Sequence, residues 1–185
     1  MTSPNDAIAL PPHYRRAIRL LIRYAIVLAI VGLLVGISYQ ESTKKLPYED
    51  AAAGVRIESV YRLAMTHGHI FTMGVFLPLA LAGALVLARK TGSRELGPGA
   101  LRWLLWGYLP FAAASIALQL YKGYHFLLQV RAHERDFAVI DAAVMGGSHV
   151  LRYGVWAVAH VGMGVSLGVF LVLLWRSLGR RATTA

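Results

Sequence analysis

Met65-Thr66-His67-Gly68-His69-Ile70-Phe71-Thr72-Met73-Gly74 sets two imidazoles and two glycines at the head of a run that stays apolar to Ala88. Such a run is long enough to cross a bilayer, which needs roughly 20 apolar residues. Ionisable or metal-binding side chains are costly in hydrocarbon, so an imidazole there is a functional-site candidate that needs a partner. The span extends from about Tyr61 to Ala88 and closes on Arg89 and Lys90.

Three more spans surround it. Residues 18–38 follow Arg15, Arg16, Arg19 and Arg23, whose long stems can carry their charge back to the headgroups. This start resembles a signal peptide, but the run is long and lacks a small-x-small cleavage site, so it reads as a helix. Gly32 and Gly36 in it form a G-x-x-x-G pair that permits close approach of a neighbour. Residues 101–121 carry Trp103, Trp106 and Tyr108 as an interfacial aromatic belt, with Pro110 predicted to bend the helix. Residues 153–175 end on Arg176, Arg180 and Arg181. Residues 1–17, with Pro4, Pro11 and Pro12, read as a mobile tail in which His13 is solvated, and 178–185 as a second tail. Glu41–Glu58 is a polar connection with room for a short surface helix. Thr91–Ala100 is a glycine-rich turn. The segment 121–136 prolongs the third helix, and Gly146-Gly147 breaks the chain before the fourth.

These readings give an all-α integral membrane four-helix bundle as one domain over residues 18–177. An apolar content of 57% and a mean hydropathy of +0.54 exceed those of ordinary soluble domains. The formal charge of +10 lies at span ends and forms no stripe with interleaved aromatics, so a nucleic-acid partner is not expected. The Lys and Arg bias puts both termini in the cytoplasm and the two longer connections outside, in a bacterial inner membrane. With zero Cys, thiolate metal sites and iron–sulfur clusters are excluded and His is the strong transition-metal ligand that remains. No nucleophile triad or phosphate-binding glycine loop is visible, which disfavours hydrolases and NTPases.

With that topology, His67 and His160 each sit about 10 Å below the outer interface at ~1.5 Å per residue, counted from Tyr61 and Tyr153. Two imidazoles from separate helices at one depth are what a b-type haem iron needs as axial ligands. A porphyrin is flat, so small residues are expected beside the ligands: Gly164 and Gly168 on the face of His160, and Gly74 on that of His67. Arg62, Arg152 and Lys122, at the outer ends of three spans, suit the propionates. His69 lies about 200° round the helix from His67, so both cannot serve one iron; His69 is free to take a second haem or metal with His125 or His149, accept a proton, or bond a quinol. Gln119, Tyr121 and Tyr124 are placed to line a quinone pocket. His133, beside charged residues, reads as solvated.

Thr66-His67-Gly68 with Phe71 to Leu79 resembles the second helix of haem–copper oxidases, whose His-Gly carries an axial ligand of the low-spin haem. The resemblance implies a ligand role for His67, but four spans cannot hold a dinuclear centre, so oxygen reduction is not implied. More broadly, Gly32 to Lys44, His67-Gly68-His69 and Ala159-His160 with Gly162, Gly164 and Gly168 are similar to an uncharacterised family of small bacterial four-helix membrane proteins, a likeness that bears on architecture alone.

The expectation is therefore a membrane cytochrome b-like protein that binds haem b between His67 and His160 and exchanges electrons with quinone or an outer-side redox protein. One alternative is copper or zinc handling or sensing by His67 and His69 with His125 or His149. Another is a cofactor-free structural or assembly subunit. The G-x-x-x-G pairs also allow a homodimer.

Overall fold

The computed structural model describes residues 10–46 and 54–179. Helix α1 runs Pro12–Lys44, α2 Val55–Lys90, α3 Pro98–Arg131, α4 Phe137–Ala143 and α5 His149–Leu178. The four long helices are each apolar and long enough to span a membrane, and an even number of spans brings both termini to one end. The fold is all-α, a four-helix membrane bundle with a short helix closing the opposite end.

Each long helix outruns its apolar stretch. Helix α1 begins at Pro12, where proline's missing N–H costs nothing, so the expected tail is shorter than 1–17. Residues 1–9, 47–53 and 180–185 lie outside the described residues, and most of the two tails and the centre of the polar connection lie with them. The described edges of that connection belong to α1 and α2, which leaves no separate surface helix among them. At the end of α1, Lys44 pairs with Glu41 at 2.6 Å and the Thr43 hydroxyl donates to the Tyr39 carbonyl.

Helix α2 widens into a π-helical stretch at Ile70–Phe76 and α3 into another at Leu104–Tyr108. Such stretches shift the face a helix presents and leave carbonyls loosely held. Here the Tyr108 hydroxyl donates to the Met73 carbonyl at 2.7 Å, tying one π stretch to the other. Tyr108 is fully buried, which corrects its placement in an aromatic belt. It stands two residues, about 200°, from the exposed Trp106, so the two cannot share a face. Pro110 falls in the first turn of the regular helix that follows the π stretch.

Helix α1 packs on α2, α2 on α3, and α3 on α5. The terminal end of the bundle is filled by Leu21, Leu85, Leu104, Tyr108 and Phe170. The hairpin end is filled by Leu63, Phe126, Val130, Ile140 and Val144, with α4 folded over it. Helix α5 is peripheral: 17% of its apolar stretch is buried, against 39% for α2. Because α5 rests mainly on α3, a groove is left between α2 and α5, floored by α3.

Candidate functional site

His67 does not face that groove. Its Nδ1 lies 2.9 Å from the Gly32 carbonyl of α1, and its ring meets Phe71 edge-on at 5.1 Å. Gly36 makes the seat: a Cβ there would fall 2.8 Å from the ring's Cε1. Gly32 and Gly36 thus admit an imidazole into the α1–α2 interface. Gly74, expected beside a porphyrin, is packed instead against Leu28 of α1. The structure therefore does not bring His67 and His160 together, and the pairing expected from depth alone is corrected. Equal depth says nothing about azimuth, and the azimuth of His67 belongs to α1.

The groove between α2 and α5 holds a polar cavity of about 260 Å³ at the hairpin end, lined by Tyr61, Arg62, Met65 and Thr66 of α2, Gln119 and Lys122 of α3, and Trp156 of α5. His69 follows Arg62, Met65 and Thr66 at i+7, i+4 and i+3, so it continues their strip one turn deeper. On α5, His160 follows Trp156 at i+4 and likewise continues the strip. Helices α2 and α5 run in the same direction, so both imidazoles stand about 6 Å deeper than the cavity, His69 half-buried and His160 exposed. On α3, Ser115 lies one turn below Gln119, and its buried hydroxyl has no hydrogen-bond partner.

The rings share a tautomer. His69 Nδ1 is 2.7 Å from the Met65 carbonyl and His160 Nδ1 is 3.0 Å from the Trp156 carbonyl. A carbonyl can only accept, so each Nδ1 carries a proton, and in the neutral ring Nε2 keeps the lone pair. This is the backbone-oriented arrangement that metal-ligating histidines use. Trp156 stacks on the His160 ring at 5.5 Å and 20°, fixing its plane. Gly164 and Gly168, further down α5, would meet no atom within 4 Å if given a Cβ, so both positions are open.

Cations crown the groove unevenly. The Arg62 guanidinium lies 4.0 Å over the Phe126 ring, and its buried Nε lacks a partner. Lys122 is 2.6 Å from Asp141. Arg152 is not at the mouth: it donates to the Asp141 carbonyl and lies 3.1 Å from the Asp141 carboxylate, which corrects its expected place beside a propionate. Partial burial by itself would raise the Asp141 carboxyl, but the hydrogen bond and charge of Lys122, aided by Arg152 and Arg62, outweigh it and hold the group below its ordinary range. One carboxylate among three cations leaves this cluster net positive.

The other histidines have local partners. His125 Nε2 bonds the Ile140 carbonyl, His149 packs on Tyr153 at 4.3 Å, and His133 occupies a left-handed turn with φ 69°. His13 is not merely solvated: its Nε2 lies 3.0 Å from the Leu96 carbonyl and 3.3 Å from Glu95. Among the described residues, no group of three or more His, Asp or Glu side chains is placed to hold a metal ion. Gln119 lines the groove, whereas the Tyr121 hydroxyl accepts from Met145 N–H and the Tyr124 hydroxyl meets Ser38. Ser115 and Trp156 carry no role in the sequence reading, and Met65 and Thr66 enter it only as part of the His67 stretch; the spacing of Trp156 to His160 is the available signal.

No protein-family model matches the chain, and no curated protein or solved structure matches it either.

Proposed function

We propose that this multi-pass membrane protein is a b-type cytochrome-like electron carrier, in which His69 of α2 and His160 of α5 would hold haem b beside the α2–α5 groove. The single observation that carries this reading is the pair of imidazoles one turn deeper than the cavity on α2 and α5, each ring oriented by a carbonyl of its own helix. When bound, the haem would supply one-electron chemistry. The chain would hold it: Arg62 and Lys122 would take the propionates at the cavity mouth, and Gly164 would leave room beside His160. Gln119 and Thr66, in the same cavity, suit a quinone headgroup as the exchange partner. His67 is assigned to joining α1 and α2.

Basic residues at the terminal end, Arg15, Arg16, Arg19, Arg89, Lys90 and Arg176 among them, support a cytoplasmic location for that end in a bacterial inner membrane. The hairpin end then faces an outer-side donor or acceptor.

The test is the visible spectrum of the purified, dithionite-reduced protein made with ample haem. The expected result is a low-spin bis-imidazole spectrum that is lost in His69→Leu and His160→Leu and kept in His67→Leu. Colourless wild-type protein, or loss of colour in His67→Leu with retention in His69→Leu, would overturn the assignment.

A further inference from the structure

A second groove lies at the other end of the bundle, between α1 and α3. It has a polar part of about 290 Å³, where Arg16 of α1 and Arg102 of α3 converge beside His13. This part runs into an apolar slot of about 630 Å³ walled by Leu20, Val27, Leu109, Pro110 and Ala113. The two parts share Arg16, Leu20, Leu105 and Trp106, so they form one continuous feature. Arg23, two turns along α1 from Arg16, also lines the slot. Tyr24 closes its floor by donating to the Leu109 carbonyl at 3.3 Å.

Among the described residues, Arg16, Arg23 and Arg102 pair with no carboxylate, and Glu95, the acid at this end, is held by His13. We propose that the α1–α3 groove binds one anionic phospholipid, its phosphate between Arg16 and Arg102 and an acyl chain along Leu20, Val27, Leu109 and Ala113. Charge complementarity selects the anion, and continuity with the apolar slot selects an amphiphile over a free anion. Basic crevices between membrane helices are a recurrent way of holding anionic headgroups. Convergence distinguishes this groove from the neighbouring one beside Val86, whose lining cations, Arg15 and Arg19, both come from α1. The proposal is independent of the haem reading, since none of its residues touches the α2–α5 groove.

Native mass spectrometry of the full-length protein, with equimolar phosphatidylglycerol and phosphatidylcholine, tests it. One phosphatidylglycerol per chain is expected in clear preference. Arg16→Gln and Arg102→Gln should each weaken it about fivefold and together roughly 30-fold, the factors given by ~1 kcal/mol per cation. Ala113→Phe should reduce retention by filling the slot without touching the charge, which guards against misfolding of the arginine variants. Equal retention of the two lipids would overturn the proposal. So would an equal loss in Arg15→Gln/Arg19→Gln, which would reveal generic basic attraction. Displacement by millimolar glycerol phosphate would do the same, since it would identify a site for free anions.

Discussion

Gly36→Ala is the sharpest probe of the division of labour between the two central histidines. A Cβ at position 36 would fall 2.8 Å from Cε1 and 3.1 Å from Nδ1 of His67, closer than real side-chain contacts allow. The ring must swing away, and its 2.9 Å bond to the Gly32 carbonyl breaks. An interhelical hydrogen bond in a membrane contributes about 0.6 kcal/mol on average. Forcing a methyl into a packed interface costs roughly 1–3 kcal/mol, and alanine returns ~1 kcal/mol in helix propensity. The net expectation is a loss of about 0.6–2.6 kcal/mol, read by SDS titration of the detergent-solubilised protein. In a His67→Ala background the obstructing ring is gone, so Gly36→Ala should be neutral or stabilising by up to ~1 kcal/mol, a coupling well above the ~0.5 kcal/mol limit of independent sites. Equal cost in the two backgrounds would refute the seat, and with it the structural assignment of His67.

Tyr108→Phe should cost about 1 kcal/mol in the same titration by freeing the Met73 carbonyl between the π stretches; an unchanged midpoint would mean that the tie is idle. At Gly162 an added Cβ would meet three atoms of the Phe111 ring at 2.6–2.7 Å, whereas at Gly164 it would meet none. Gly162→Ala should therefore destabilise by up to ~2 kcal/mol, and Gly164→Ala should be neutral or stabilising by up to ~1 kcal/mol. The clamp on Asp141 gives a pH signature. Its carboxyl is held below the ordinary value of ~3.9, so its stabilisation is present above that pH and is lost as pH falls through the lower, folded value. Thermal midpoints from pH 7 to 3 should fall more in the wild type than in Asp141→Asn, and parallel curves would show that the charge is unused.

The four spans were legible because each is a long apolar run closed by cations, a signal that depends on composition and not on partners. Helix ends were less so: Pro12, Tyr39–Lys44 and Val55 continue their helices through sequence that hydropathy reads as connection. The candidate site was legible in part. Depth followed from counting residues, which singles out His67, His69 and His160 as candidates. Azimuth did not, because it depends on which neighbour each face meets. Gly74 shows the same limit: its smallness was visible, but Leu28 uses it. The two π stretches left no sequence mark, and they decide that Tyr108 turns inward.

The His-x-His spacing itself explains why one histidine had to be surrendered to the fold. Residues two apart lie about 200° round a helix, so an α2 that packs on α1 with one imidazole must present the other to its opposite side. Gly32 and Gly36 of α1 accept the first; the second is bonded within its own helix, to the Met65 carbonyl. A ring pinned to another helix's carbonyl fixes the angle of α2, and that angle aims His69 along the strip of Arg62, Met65 and Thr66. His67 then acts on the groove without entering it. Loss of its bond should leave the groove chemically whole but rotate its wall, so a change at Gly36 should shift the properties of whatever the groove holds while a change at His69 should remove it.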